Sequence, residues 1–294
     1  MEKLLQNDEN FRVELIDWHG QHAVRKNLQP STNERRQKTF QNEITGTELF
    51  SEIVYAHPDW HVKVPRTFEK GEGWVIREYL EGETLCTEES RLEQAAPGVK
   101  RLATALAFID RVEPDLNIAP PFEDSAPYTN IRKRFETWSK GPLESSILAH
   151  EAYESAQQLI ATFQPYLVPR YAHGDVSPLK HVLVDATGTI GLFDFEHFSS
   201  QKPRYYDVAY CYSRLFTRVG DKRIAGSFLN SFLEVAETPP HQTEQLLAIM
   251  TQRAIGMHFD AFNDRAKGVD YVDRAQELLA LCLQGDVMRL CTVQ

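Results

Sequence analysis

The chain has 294 residues and a mass of 33.7 kDa, enough for one large domain or two lobes with a sizeable core. It is 42% hydrophobic and 25% charged, which excludes a disordered or collagen-like chain. Thirty-two Lys and Arg face 42 Asp and Glu; the resulting charge of −10 argues against nucleic acid or anionic lipid as partner.

No apolar run approaches the roughly 18 to 20 residues of a bilayer span. Met1 to Asp8 show no secretory pattern, and Cys86, Cys211, Cys282 and Cys291 have no metal-like spacing. A cytoplasmic protein is expected.

The alternation of Phe11 to Trp18 predicts a strand, His19-Gly20-Gln21 a turn, and His22 to Leu28 a returning strand ended by Pro30. A helix follows over Thr39 to Val54, although Gly46 in its middle is unfavourable. Strands are expected at His61 to Phe68 and Trp74 to Tyr79, with Lys70 to Gly73 turning between them. These elements describe a small sheet lobe, residues 1–80.

Beyond Leu80 the apolar period becomes helical. Helices are expected at Pro97 to Val112, Ile131 to Trp138, Glu144 to Tyr166, Tyr206 to Thr217, Arg223 to Ala236, Gln242 to Ala261 and Val272 to Met288. One segment breaks the pattern. His181 to Val184 and Thr189 to Phe193 are short β-type runs joined by Asp185-Ala186-Thr187-Gly188, a good hairpin loop. Pairing across that loop returns Asp194 beside Lys180 and His181, at the mouth of a loop that holds Asp175. Two carboxylates facing one small volume suit phosphoryl transfer: one orients the attacking hydroxyl, and the other holds Mg²⁺ on the nucleotide phosphates.

His173-Gly174-Asp175 and Phe193-Asp194-Phe195-Glu196 resemble the motifs of the aminoglycoside phosphotransferase and choline-kinase-like small-molecule kinases, relatives of the protein kinases. The resemblance implies an α/β (α+β), two-lobed protein-kinase-like fold, with an antiparallel-sheet lobe and a larger, mostly helical lobe over residues 81–294. It implies ATP and Mg²⁺ as cofactors, Asp175 as catalytic residue and Asp194 as metal ligand. Tyr206-Asp207-Val208-Ala209 is similar to a further family motif; Asp207 would then steady the catalytic loop, with His173 in structural support.

By the same similarity, Arg25 or Lys26 holds the α/β-phosphates, alignment favouring Arg25, and Glu43 orients that cation. Backbone at Glu78 to Leu80 would read the adenine edge, and Asn7 to Asn10 would lie over the phosphates.

Two features depart from the family. Lys180 stands where an Asn holds a second metal, and His181 follows it. Lysine cannot ligate while charged, and imidazole suits Mg²⁺ poorly. Either Lys180 supplies charge in place of the metal, or a bulge brings His181 inward, or metal use is impaired. The phosphate loop also contains no glycine.

Glu196 either salt-bridges locally or faces the substrate or metal. Residues 77–94 carry six glutamates and two arginines, which, with Asp260 and Asp264, would make an acidic rim for a small cationic acceptor. The expected activity is phosphotransfer to a hydroxyl of such a molecule. The rival is a degenerate kinase-like regulator that binds nucleotide or a protein partner.

Overall fold

The computed structural model describes residues 3–30, 32–117 and 127–293. Strands β1 (Lys3–Asn7), β2 (Phe11–Trp18) and β3 (Gln21–Leu28) form a meander, followed by helix α1 (Glu34–Tyr55). Strands β4 (Val62–Lys63), β5 (Thr67–Gly71), β6 (Trp74–Glu78) and β7 (Glu83–Thr84) come next. Five of these strands make an antiparallel sheet in the order β1-β2-β3-β6-β5. Alternation along β2, β3 and β6 puts Phe11 and Val75 on one face against Phe40 and Ile44 of α1, and Ile16, Ala23 and Ile76 on the other.

The remainder is mostly helical: α2 (Leu92–Ile109), α3 (Pro127–Glu144), α4 (His150–Phe163), α5 (Tyr206–Arg218), α6 (Arg223–Val235), α7 (Gln242–Arg265), α8 (Val272–Leu283) and α9 (Val287–Cys291). Between α4 and α5 lie β8 (Pro169–Ala172), β9 (Val182–Val184), β10 (Ile190–Leu192) and β11 (Ser199–Pro203). A single large apolar cluster binds α2, α5, α6, α7 and α8 to the hairpin and to the C-terminal half of α1. This is the expected two-lobed arrangement. None of the helices among the described residues is long and apolar enough to cross a membrane.

The structure moves several expected boundaries. Helix α1 starts at Glu34, because the Asn33 side chain accepts from the Arg36 N–H and caps it. Pro97 lies inside α2, five residues past its first residue. The single helix expected over 144–166 divides between the end of α3 and α4, and the one expected over 272–288 breaks at Gly285, whose positive φ suits the residue after a helix end.

Strand β4 was expected as part of a longer strand of the first lobe. It is short, and it pairs parallel with β10 (Val62 with Ile190, Lys63 with Gly191). The four-stranded sheet β4-β10-β9-β7 therefore joins chain from both sides of residue 80.

Candidate active site

Gly174 opens the site. Its φ is +84°, and a Cβ there would stand 2.1 Å from the His197 carbonyl oxygen, so only glycine lets the loop pass. Asp207, at the start of α5, accepts the backbone N–H groups of His173 (2.7 Å) and Gly174 (2.8 Å). Burial pushes the Asp207 pKa up to about 6, against the pull of those two donors.

His173 is fully buried, and burial lowers its pKa to about 4. The neutral ring has one arrangement that uses both nitrogens. Nδ1 accepts from the Asp175 N–H (3.3 Å) and Nε2–H donates to the Phe193 carbonyl (2.9 Å). His173 thus ties the Asp175 loop to the segment that presents Asp194.

The hairpin pairs Val184 with Ile190 and Val182 with Leu192. Continuing that register sets Asp194 opposite Lys180, as the sequence predicts. Asp194 has φ of +67°, a conformation that bends the chain out of β10 and turns its carboxylate into the cleft. The ring of His181 lies between the two acids: Nδ1 hydrogen-bonds the Asp175 backbone carbonyl at 3.0 Å and lies 3.4 Å from Asp175 Oδ2, and Nε2 is 3.5 Å from Asp194 Oδ2. Of the three arrangements open at this position, the geometry is that of an inward His181. Its N–H and that of Lys180 converge on the Ser177 carbonyl, while the Lys180 side chain stays exposed at the cleft edge.

Burial raises the cost of charge on Asp175, but His181 and the Tyr210 hydroxyl more than offset it, and the pKa falls below the ordinary aspartate value. Asp175 Oδ1 is buried with no hydrogen-bond partner among the described residues, so the accessible edge of the carboxylate, at Oδ2, is the one that can meet a ligand. Partial burial sets the same cost on Asp194, whose side chain is 28% exposed. Lys26 and then His181 overcome that cost and hold its pKa at about 2.

From the sheet lobe, Lys26 Nζ donates to Glu43 Oε2 (2.6 Å) and to Asp194 Oδ1 (3.3 Å). Burial works against its charge, yet Glu43 and Asp194 keep its pKa above that of a free lysine. Arg25, the residue that alignment favours, lies elsewhere. Alternation along β3 sends it to the opposite face, where it is exposed and its guanidinium is 5.8 Å from the Trp74 ring centroid. Glu43 has a second partner that the sequence reading missed, the buried Arg77 of β6.

A cleft of about 320 Å³ runs from these charges to the link after β6. It is lined by Val13, Val24, Val75, Leu183 and Phe193, and by Glu78 to Leu80. The Glu78 carboxylate is engaged by Arg66 Nε (3.1 Å) and its N–H donates to the Arg66 carbonyl (2.9 Å), so of this residue only the carbonyl is left for a ligand edge. The turn at Asp8 is held by its own carboxylate, which accepts from the Asn10 and Phe11 N–H groups.

A second cleft, of about 670 Å³, opens beyond the acids between Glu88, Asp175, Asp194, Glu196 and α7. Burial and the nearby Asp194 push the Glu196 pKa up to about 7; Arg36 lies 3.5 Å away. The acidic rim is neutralised in part: Glu78, Glu88 and Glu93 have arginine partners, while Glu81, Glu83 and Glu89 have no ion pair among the described residues. Asp260 pairs with Arg214 at 2.9 Å, and Arg218 bridges Asp264 and Glu88 at 3.1 and 2.8 Å.

Another link absent from the sequence reading is Asn42. Its amide donates to the carbonyls of Glu196 and Phe198, fastening α1 to the chain just past Asp194.

The donor set fits Mg²⁺ only in one mode. Among the described residues, no group of three or more His, Cys, Asp and Glu side chains is placed to hold a metal. A hard cation that keeps waters and phosphate oxygens needs only one or two carboxylates from protein. Asp194, ionised and aimed into the cleft, meets that need.

A two-lobed fold with paired acids at its cleft defines the kinase-like class. Residues 4–243 match the phosphotransferase enzyme family (APH), and the chain belongs to that family of phosphotransferases. No curated protein matches it in sequence. Among solved structures, the streptomycin–ATP ternary complex of APH(2")-IIa is similar with a TM-score of 0.60, 14% identity, and 97% of this chain and 93% of that one covered. The GDP and kanamycin complex of a further APH(2") enzyme gives 0.58 at 15% identity, covering 97% and 94%. An ethanolamine kinase of Plasmodium vivax gives 0.57 at 13%, covering 96% and 82%. At these identities the likeness is one of fold.

Proposed function

We propose that the protein transfers the γ-phosphoryl group of ATP to a hydroxyl of a small molecule. The observation that carries this reading is His181, whose two ring nitrogens each reach one of the acids Asp175 and Asp194 in a single cleft that Lys26 closes from the other lobe. The boundary between the lobes is placed at about residue 80, where the chain leaves β6.

The adenine lies in the apolar cleft against the backbone of Glu78 to Leu80. Lys26, held by Glu43, neutralises phosphate charge, and Asp194 supplies the carboxylate for Mg²⁺. When bound, Mg²⁺ offsets the charge on the phosphate oxygens. Asp175, with His181 beside its carboxylate, orients the acceptor hydroxyl at its accessible oxygen and takes the proton as the new oxygen–phosphorus bond forms and the bond from the γ-phosphorus to the β-phosphate oxygen breaks, releasing ADP. General-base action of this kind contributes about 10² to 10⁴ in rate. His173 and Asp207 position the loop without touching substrate. Complexes of the similar enzymes with ATP and with GDP are consistent with a nucleotide donor.

A coupled assay of ADP release against a panel of amino alcohols, amino sugars, polyols and hydroxy acids tests the reading. Acceptor-dependent ADP release in the wild type, reduced at least ~100-fold in Asp175→Asn, is expected. Equal release by the variant would remove Asp175 from the role. The rival, a nucleotide-binding regulator, draws on the absence of an Asn at position 180. It predicts nucleotide binding with no turnover on any acceptor.

A further inference from the structure

We infer that the acceptor carries an anionic group, a carboxylate or a phosphate, seated in a cation-lined recess beside Asp175. This deepens the phosphotransfer reading and rests on it for the fate of the hydroxyl.

The recess has a volume of about 140 Å³ and lies between α3, α7 and the catalytic loop. Four cations line it, Arg134, Lys202, Arg214 and Arg253, against two carboxylates, Asp175 and Asp260. Asp260 is taken by Arg214 at 2.9 Å, and Asp175 is the base. The nearby Asp207 spends both oxygens on backbone N–H groups. His197 also faces the recess.

Lys202 and Arg253 are left over. They are 8% and 3% exposed, and among the described residues neither side chain has an ion-pair or hydrogen-bond partner. Arg253 Nε is buried and unsatisfied. Among the described residues their compensation is chiefly aromatic, with the charge of the buried Asp207 also acting on Lys202. Arg253 stands 4.5 Å from the Tyr210 ring centroid and 4.9 Å from that of Trp138, and Lys202 Nζ stands 4.4 Å from that of Tyr206. Gly256 permits this: a Cβ there would stand only 3.0 Å from the Trp138 ring.

Burying a cation without a counter-ion is strongly unfavourable, and ring faces return only part of the cost. Two such cations lining one recess describe a site that lacks its anion. The recess shares no lining residue with the nucleotide cleft, so it lies on the acceptor side of Asp175. It shares Asp175, Tyr210, Arg214 and Asp260 with the acceptor cleft. An acceptor with its anionic end on Lys202 and Arg253 would present a hydroxyl to Asp175.

The test is isothermal titration calorimetry of the full chain, without nucleotide and at constant ionic strength, with four small probes that all carry a hydroxyl. Glycerate is the carboxylate arm and glycerol 3-phosphate the phosphate arm; glycerol and ethanolamine are the neutral and cationic controls. One of the anions should bind roughly 30-fold or more tightly than either control, the loss expected when a buried charge pair is truncated. Lys202→Met and Arg253→Met should each remove most of that preference while keeping the stabilisation by ATP with Mg²⁺. Should a methionine variant fail to fold, Lys202→Gln takes its place. The stronger of the two anions identifies the group. Controls that bind as well as the anions, absence of binding by both anions, or folded variants with unchanged anion affinity would overturn the inference. Loss of the ATP response with anion binding intact would instead count against phosphotransfer alone.

Discussion

Lys26 Nζ lies 3.3 Å from Asp194 Oδ1, joining a cation of the third strand to a carboxylate just past the β9–β10 hairpin, 168 positions later. The same ammonium donates to Glu43, so three charges from two lobes meet at the cleft floor. Arg25, one residue earlier, is on the other side of the sheet. Lys26→Met should therefore weaken ATP binding by about 10- to 150-fold, the worth of a charge-assisted hydrogen bond. Arg25→Met should leave it within about twofold, inside the small range of surface substitutions. Thermal shift against ATP concentration with Mg²⁺ checks both; equal effects would reverse the choice of cation.

His181 occupies the inward position between the acids, and imidazole is a poor partner for a hard cation. His181→Asn would return an amide oxygen to that position. The variant should need less Mg²⁺ than the wild type for half-maximal stabilisation by ATP. An unchanged or higher requirement would show that the ring does not limit metal use.

His173 gives a pH dependence of definite sign. Its folded pKa, lowered from 6.5 to about 4, means that between these values the unfolded chain binds the extra proton. Stability from the neutral ring is complete above about pH 6.5 and is lost as the pH falls toward 4, up to about 3 kcal/mol. Asp207 titrates over the overlapping range with the opposite sign, so the wild type alone would blur the effect. The difference between wild type and His173→Gln isolates it. Urea midpoints at pH 4.5 to 8 should show the wild type losing ground to the variant only below about 6.5.

Gly46 sits in the interior of α1, where alanine would ordinarily stabilise by about 1 kcal/mol. A Cβ at that point would stand 2.5 Å from Phe198 Cβ. Gly46→Ala should accordingly destabilise the fold by about 1 to 3 kcal/mol, measured by urea denaturation. A stabilised variant would mean that Phe198 has room to move.

Much of this was legible in the sequence because it is local. The hairpin at 182–192 is written in its turn residues, and its register alone carries Asp194 back toward Asp175. The choice between Arg25 and Lys26 was not legible, since it depends on which face of β3 meets α1. Gly46 reads as a flaw in a helix until Phe198, 152 positions later, is seen against it. The acids of the rim read as attraction for a cation; the arginine partners of Asp260 and Asp264 come from helices with no motif to place them. Lys202 and Arg253 lie 51 positions apart and acquire meaning only through the packing of β11 and α7 against α3.

The central claim is that Asp194 and Lys26 build one site for nucleotide together with Mg²⁺. Thermal stability of the wild type and Asp194→Ala, each with ATP alone, Mg²⁺ alone and both, tests it most directly. In the wild type, the pair should stabilise far more than the sum of its parts, and in Asp194→Ala that synergy should vanish while the unliganded protein still melts cooperatively. Identical synergy in the two proteins, or no response to ATP in either, would contradict the account.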